Sequence, residues 1–122
     1  MEFSVEADPE FLRVRIRGRD SPEPPSHVCA AVLRESGRLG RKRILIELDQ
    51  NFPLSPAAQY ELVTRLPDLG LTDQHSIALV HRTPVAQMAN EFISVVADNR
   101  GLGVRNFRDV EEAAIWLRAR PA

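Results

Sequence analysis

The sequence predicts an α/β fold on a mixed, mostly parallel sheet of about five strands, with elements in the order β-β-α-β-α-β-α-β-α. Three observations carry this. The chain opens on two short runs of strict apolar–polar alternation. It continues through short, almost wholly apolar runs at 44–48 and 77–80. Between and after these lie longer stretches whose apolar residues recur at helical spacing. Strands alternating with helices argue for parallel pairing through right-handed crossovers, and the opening pair makes the sheet mixed.

Each element has its own signal. Phe3, Val5 and Ala7 alternate with Glu2, Ser4 and Glu6, and Leu12, Val14 and Ile16 alternate with Arg13, Arg15 and Arg17. Asp8-Pro9 between them suits a turn, so a hairpin is expected. Its expected register sets Val5 opposite Leu12, Ser4 opposite Arg13 and Glu2 opposite Arg15, which pairs unlike charges across the ladder. Ser21 to Ser26 is a stiff, proline-rich lead-in. A helix then runs from about Pro25 to Ser36, with Val28, Ala31 and Val32 inward and Gly37 as its stop. Arg43 to Asp49 reads as a central strand, because Ile44, Leu45, Ile46 and Leu48 leave few polar positions. Leu54 to Leu66 is the second helix, started by Ser55-Pro56, with Ala58, Leu62 and Leu66 inward and Pro67 and Gly70 at its end. Ser76 to Arg82 is a buried strand. Thr83-Pro84 caps a helix from about Val85 to Asp98, built on Val85, Met88, Ala89, Phe92, Ile93 and Val96 and closed by Gly101 and Gly103. Gly103 to Phe107 is the last strand. Asp109-Val110-Glu111-Glu112 then opens a final helix in the manner of a capping box, with Val110, Ala113, Ala114 and Leu117 inward.

The bulk composition bounds the function classes. A chain of 122 residues with 43% hydrophobic and 27% charged residues fits a single domain, 1–122, able to bury a core without staples. A net charge of −1 gives no bulk attraction for nucleic acid or an anionic membrane. No apolar run approaches the ~20 residues of a membrane span. One cysteine, Cys29, and an acidic opening without a basic stretch make a reducing, cytoplasmic setting the expectation. Of the sixteen basic residues only Lys42 is lysine. Codon bias accounts for that, although arginine is also the better fork for carboxylates and phosphates.

The element order, the strand Arg43-Ile44-Leu45-Ile46-Glu47-Leu48-Asp49, the strand Ile77-Ala78-Leu79-Val80 and the ending Val104-Arg105-Asn106-Phe107 followed by Glu111-Glu112-Ala113-Ala114-Ile115-Trp116-Leu117 together carry a likeness. On these the chain resembles the STAS family of anti-sigma-factor antagonist domains, in its broad SpoIIAA-like branch, over nearly its whole length. The resemblance implies a non-enzymatic binding or regulatory domain that acts through a protein partner or a small ligand, anionic or lipid-like. Regulatory members of that family carry a phosphorylatable serine in an Asp-Ser-Ser/Thr-Gly motif where a helix begins after the central strand. Here the stretch reads Asp49-Gln50-Asn51-Phe52-Pro53-Leu54-Ser55-Pro56. Ser55 is the nearest counterpart for phosphorylation, but the Asp-Ser pair and the glycine are missing, and an N-cap serine is the better reading.

Ligands of open α/β sheets gather at the carboxyl ends of the strands. The candidate rim is therefore Asp49, Asn51 and Ser55 after one strand, His81, Arg82 and Thr83 after the next, and Arg108 after the last. Helix starts at Ser55 and Thr83 would add free N–H donors for a small anion. The bland alternative is that these residues cap helices and face water. Ser55, His81 and Asp49 are the right types for a hydrolase, but no nucleophile elbow surrounds Ser55. Cys29, among Val28, Ala30 and Ala31, reads as an inert buried thiol. His27, His75 and His81 lack metal-site spacing, so neither a metal nor a cofactor is expected. Gly101-Leu102-Gly103 follows a helix and lacks the third glycine of a dinucleotide loop. The stripe Arg13, Arg15, Arg17, Arg19 could dock acidic groups, but neighbouring glutamates favour internal neutralisation, and nucleic-acid binding would want several stacking aromatics where only Phe11 is in register. A rim-based enzyme and a homodimer formed through an exposed sheet edge remain the alternatives.

Overall fold

Alternation and turn chemistry place the first two strands. In the computed structural model, which describes residues 2–17, 25–49, 55–81 and 91–120, β1 (Glu2–Ala7) and β2 (Leu12–Arg17) form the antiparallel hairpin. The register is displaced by two residues from the expected one: Val5 faces Val14, Ser4 faces Arg15 and Glu6 faces Arg13. The turn explains the shift. Asp8 closes it by donating its N–H to Phe11 O at 3.0 Å, while its carboxylate takes the N–H groups of Glu10 and Phe11 at 2.9 and 2.6 Å. Pro9 then holds the first central position, which its fixed φ suits. The expected register would have forced it into the second. A shift of two leaves each side chain on its expected face.

Helix α1 (Pro25–Leu39) overruns its expected stop, with Gly37 inside it. A mid-helix glycine costs only about 0.5–1 kcal/mol, and the inward stripe Val28, Val32, Leu33 and Ser36 is continued past the expected end by Leu39, which packs against the core. The stop is Gly40 at φ 67°, followed by Arg41 N–H donating to Ser36 O at 3.0 Å, the long bond of a Schellman ending.

Central strand β3 (Arg43–Asp49) leads to α2 (Pro56–Arg65), which starts one residue after Ser55. Its inward stripe is Gln59, Val63 and Leu66, while the expected Ala58 and Leu62 are half-buried. A 3₁₀ turn, Leu66–Leu69, takes over at the end, with Pro67 inside it and Gly70 at φ 116° closing it. Strand β4 (Ser76–His81) follows. Helix α3 (Phe92–Asn99) carries Ile93, Val96 and Ala97 inward, whereas Phe92, expected in the core, is exposed. Thr83, Val85, Met88 and Ala89 lie outside the described residues. Strand β5 (Val104–Phe107) begins one residue later than expected, and α4 (Val110–Ala119) is capped as expected, with the Asp109 carboxylate accepting Glu112 N–H at 2.8 Å.

The five strands stand in chain order, β1-β2-β3-β4-β5, antiparallel at β1–β2 and parallel elsewhere. Crossovers of one hand along an unreversed order deliver their helices to one side. Leu12, Val14, Ile16, Ile44, Ile46, Ile77 and Val104 accordingly pack with residues of α1, α2 and α3. On the opposite face Leu45, Ala78 and Val80 pack with Phe11 and with Ala113, Ala114 and Leu117 of α4. That single helix covers β3 to β5, so the same face of β1 and β2 is polar. There Arg15 Nε meets Glu47 at 2.8 Å and Arg13 Nε meets Asp8 at 2.9 Å. Two members of the arginine stripe, Arg13 and Arg15, are thus answered within the chain, by Asp8 and Glu47, while the Arg17 side chain and Arg19 lie outside the described residues. Exposed pairs of this kind contribute at most about 1 kcal/mol.

Candidate functional site

The carboxyl-end rim is partly described. Asp49 closes β3, and Asn51, Arg82 and Thr83 lie outside the described residues. Arg108 is exposed beyond β5. Ser55 sits in extended backbone before α2 and its Oγ accepts Ala58 N–H at 3.1 Å, which is N-cap geometry. His81 is buried, and its Nε2 lies 3.2 Å from Asn106 Oδ1. An amide oxygen only accepts, so Nε2 carries the proton. Burial lowers the His81 pKa, against the opposing pull of the Asn106 bond, and the ring is neutral near pH 7. Ser55 and His81 are not hydrogen-bonded to one another, so no nucleophile–base pair forms from them.

Through Asn106, His81 is linked to α3, and a separate buried polar bond joins α2 to α3. Asn106 N–H donates to Ser94 Oγ at 2.9 Å, and the fully buried Gln59 accepts Ile93 N–H at 3.1 Å. Gln59, Ser94 and Asn106 were not singled out in the sequence. Gln59 alone left a signal, a polar residue four before Val63 on the inward stripe, which a one-residue error in helix phase hides.

A groove lies at the other end of the sheet. It has a volume of about 690 Å³ and runs between the end of α1, the β1–β2 turn and the starts of β3 and β4. Its charged lining residues are Arg41, Lys42, Arg43 and Glu10, with His75 and Ser36 beside them. Glu10 is held by Arg118 of α4 at 2.8 Å, and that bond keeps its carboxyl below the usual range. Arg41 answers the carbonyl end of α1, donating from Nη1 to Leu39 O at 3.3 Å and from Nε to Asp8 O at 3.1 Å, and Ser36 Oγ donates to Arg41 O. Lys42 Nζ donates to Gln74 Oε1. Arg43 Nη2 donates to Arg120 O at 2.6 Å, while its buried Nε has no hydrogen-bond partner among the described residues. His75 Nδ1 accepts Thr72 N–H at 3.0 Å, so its proton is on Nε2. Burial and the neighbouring Lys42 charge hold its pKa down. The legible signal for this groove was the run Arg41-Lys42-Arg43 at a strand start.

Three exposed apolar side chains, Tyr60, Phe92 and Val95, lie on α2 and α3, and Ile115 stands alone on α4. Arg100 donates to Tyr60 OH at 3.0 Å and lies over its ring. Cys29 packs at the core edge, and burial pushes its thiol up to about 11, far from a reactive thiolate. Among the described residues no cluster of His, Cys, Asp and Glu could hold a metal ion, and no helix is long and apolar enough to cross a membrane. No family model, no curated protein and no solved structure matches the chain.

Proposed function

We propose that the chain is a non-enzymatic binding domain of the STAS-like kind its sequence resembles, and that it takes a small anionic group in the amino-end groove. One observation carries this reading: in a chain of net charge −1, the groove gathers Arg41, Lys42 and Arg43 against a single carboxylate, Glu10, which Arg118 already neutralises. A concave site with an excess of guanidinium donors suits phosphate or carboxylate. The buried Arg43 Nε–H would gain an acceptor if the side chain turned toward such a group. A free phosphate and a lipid headgroup present the same chemistry. The capped Ser55 and the committed His81 favour binding over catalysis.

Titration of the ¹⁵N-labelled chain with inorganic phosphate, and separately with phosphatidic acid vesicles, tests the reading. Amide shifts at Arg41–Arg43 and His75 that weaken with added salt, and weaken several-fold in Lys42→Gln, are expected. Response to vesicles alone would assign a lipid headgroup. Shifts confined to the carboxyl-end rim, or none with either probe, would refute the groove. The exposed Tyr60, Phe92 and Val95 favour a second reading, a protein partner on the α2–α3 surface.

A further inference from the structure

The two edges of the sheet are finished differently. At β5, Ile77 N–H donates to Gly103 O at 2.7 Å, so the backbone groups of Val104 and Asn106 point away from the sheet. Both of those outward N–H groups are occupied within the chain: Val104 donates to Leu102 O at 3.0 Å and Asn106 to Ser94 Oγ at 2.9 Å. That edge is closed. At β1 the Asp8–Phe11 bond fixes the opposite parity. Residues 4, 6 and 8 turn their backbone toward β2, and Phe3, Val5 and Ala7 turn theirs outward. Among the described residues nothing accepts from or donates to those outward groups. The strand has no proline, no lysine and no bulge, the usual devices that stop an edge from pairing.

We propose that β1 is a self-pairing edge, through which two copies of the chain join antiparallel about a two-fold axis at Val5 into one continuous sheet. The occupant is a second copy because β1 complements itself in one register. With Val5 opposite Val5, the outward groups of residue 3 meet those of Ala7, and all three outward residues exchange both bonds. On the polar face Glu6 then stands opposite Ser4 of the second copy. Ser4 in turn has Arg15 beside it on β2, and Glu6 has Arg13. Each glutamate thus lies between an arginine of its own chain and, one small side chain away, an arginine of the other. Sliding the register by two either way sets Glu6 against Glu6 or against Glu2, and like charges directly opposite are unfavourable. The remaining acidic pairing, residue 2 with Asp8, is relieved because the Asp8 carboxylate is bonded to Glu10 N–H, Phe11 N–H and Arg13.

Sedimentation of the full chain across a concentration series tests the proposal. Reversible dimerisation in the micromolar range is expected, as for a small interface. Val5→Pro removes an N–H that the monomer does not use, and an outward-facing proline is tolerated on an edge. It should leave the thermal transition in place and abolish the dimer. Ser4→Glu puts a carboxylate next to Arg15 within the chain but opposite Glu6 across the axis, twice per dimer. It should weaken dimerisation about tenfold without loss of monomer stability. It also decides the matter should Val5→Pro fail to fold. A wild-type chain that stays monomeric up to millimolar concentration, or a dimer untouched by Ser4→Glu, would overturn the proposal.

Discussion

The side-chain oxygen of Gln59, in the middle of α2, accepts the backbone N–H of Ile93, in the first turn of α3, at 3.1 Å. First-turn N–H groups lack intrahelical partners, and Glu91, at the N-cap position, makes no side-chain bond to them. One helix thus supplies the cap of another from inside the core. Gln59→Leu keeps the volume but orphans that buried N–H, and should lower stability by about 1–3 kcal/mol. Urea denaturation measures it. A loss no larger than that of an exposed control such as Glu61→Gln would show the bond to be dispensable.

Two glycines should respond in opposite directions to alanine. A methyl group on Gly37 meets nothing within 4 Å, and the residue is inside α1. Gly37→Ala should therefore stabilise by about 0.5–1 kcal/mol. At Gly103 an added Cβ would lie 2.9 Å from His75 O and 2.8 Å from an Arg120 nitrogen. The side chain can yield but the carbonyl cannot, so Gly103→Ala should lower the melting temperature by several degrees, about 1–3 kcal/mol. Paired thermal melts give both signs at once.

Stability should fall as pH drops below the ordinary histidine value. Burial lowers the pKa of His81 and of His75 below 6.5, so the unfolded chain takes up these protons first. Above about pH 7 both states are neutral and the two rings contribute no slope. Between pH 6.5 and the lowered folded values each proton bound only by the unfolded chain costs stability. Denaturation midpoints from pH 8 to pH 5 should be flat and then decline, and His81→Gln should flatten part of the decline. A midpoint that rises over this range would contradict the assignment of neutral, buried rings.

Much of the fold was legible because its signals are local. Period-two alternation named β1 and β2, the apolar runs named β3 and β4, and Asp109 named the start of α4. What failed was phase and register. Gly37 was overruled by a continuing apolar stripe, α2 turned Gln59 and Val63 inward in place of Ala58 and Leu62, and Pro9 took the first central place in its turn. The site was less legible for a related reason. A strand's carboxyl end can be read from the run itself, so Ser55 and His81 were found, and both are occupied by structural bonds. The groove at the amino end is assembled from three segments distant in sequence, and only its triplet Arg41-Lys42-Arg43 leaves a local trace.

The unreversed strand order has a consequence for how the molecule comes to be. Every strand lies beside the one made just before it, and the longest excursion between sheet neighbours is residues 50–75. No strand waits for a distant partner, so the sheet can grow by accretion from the hairpin outward, each α-helix closing one modest loop. Emerging from a ribosome, such a chain could lay down each strand against a template already formed. Helix α4, which packs on the second face of the sheet, follows β5 in the chain and would dock only after all five strands are in place.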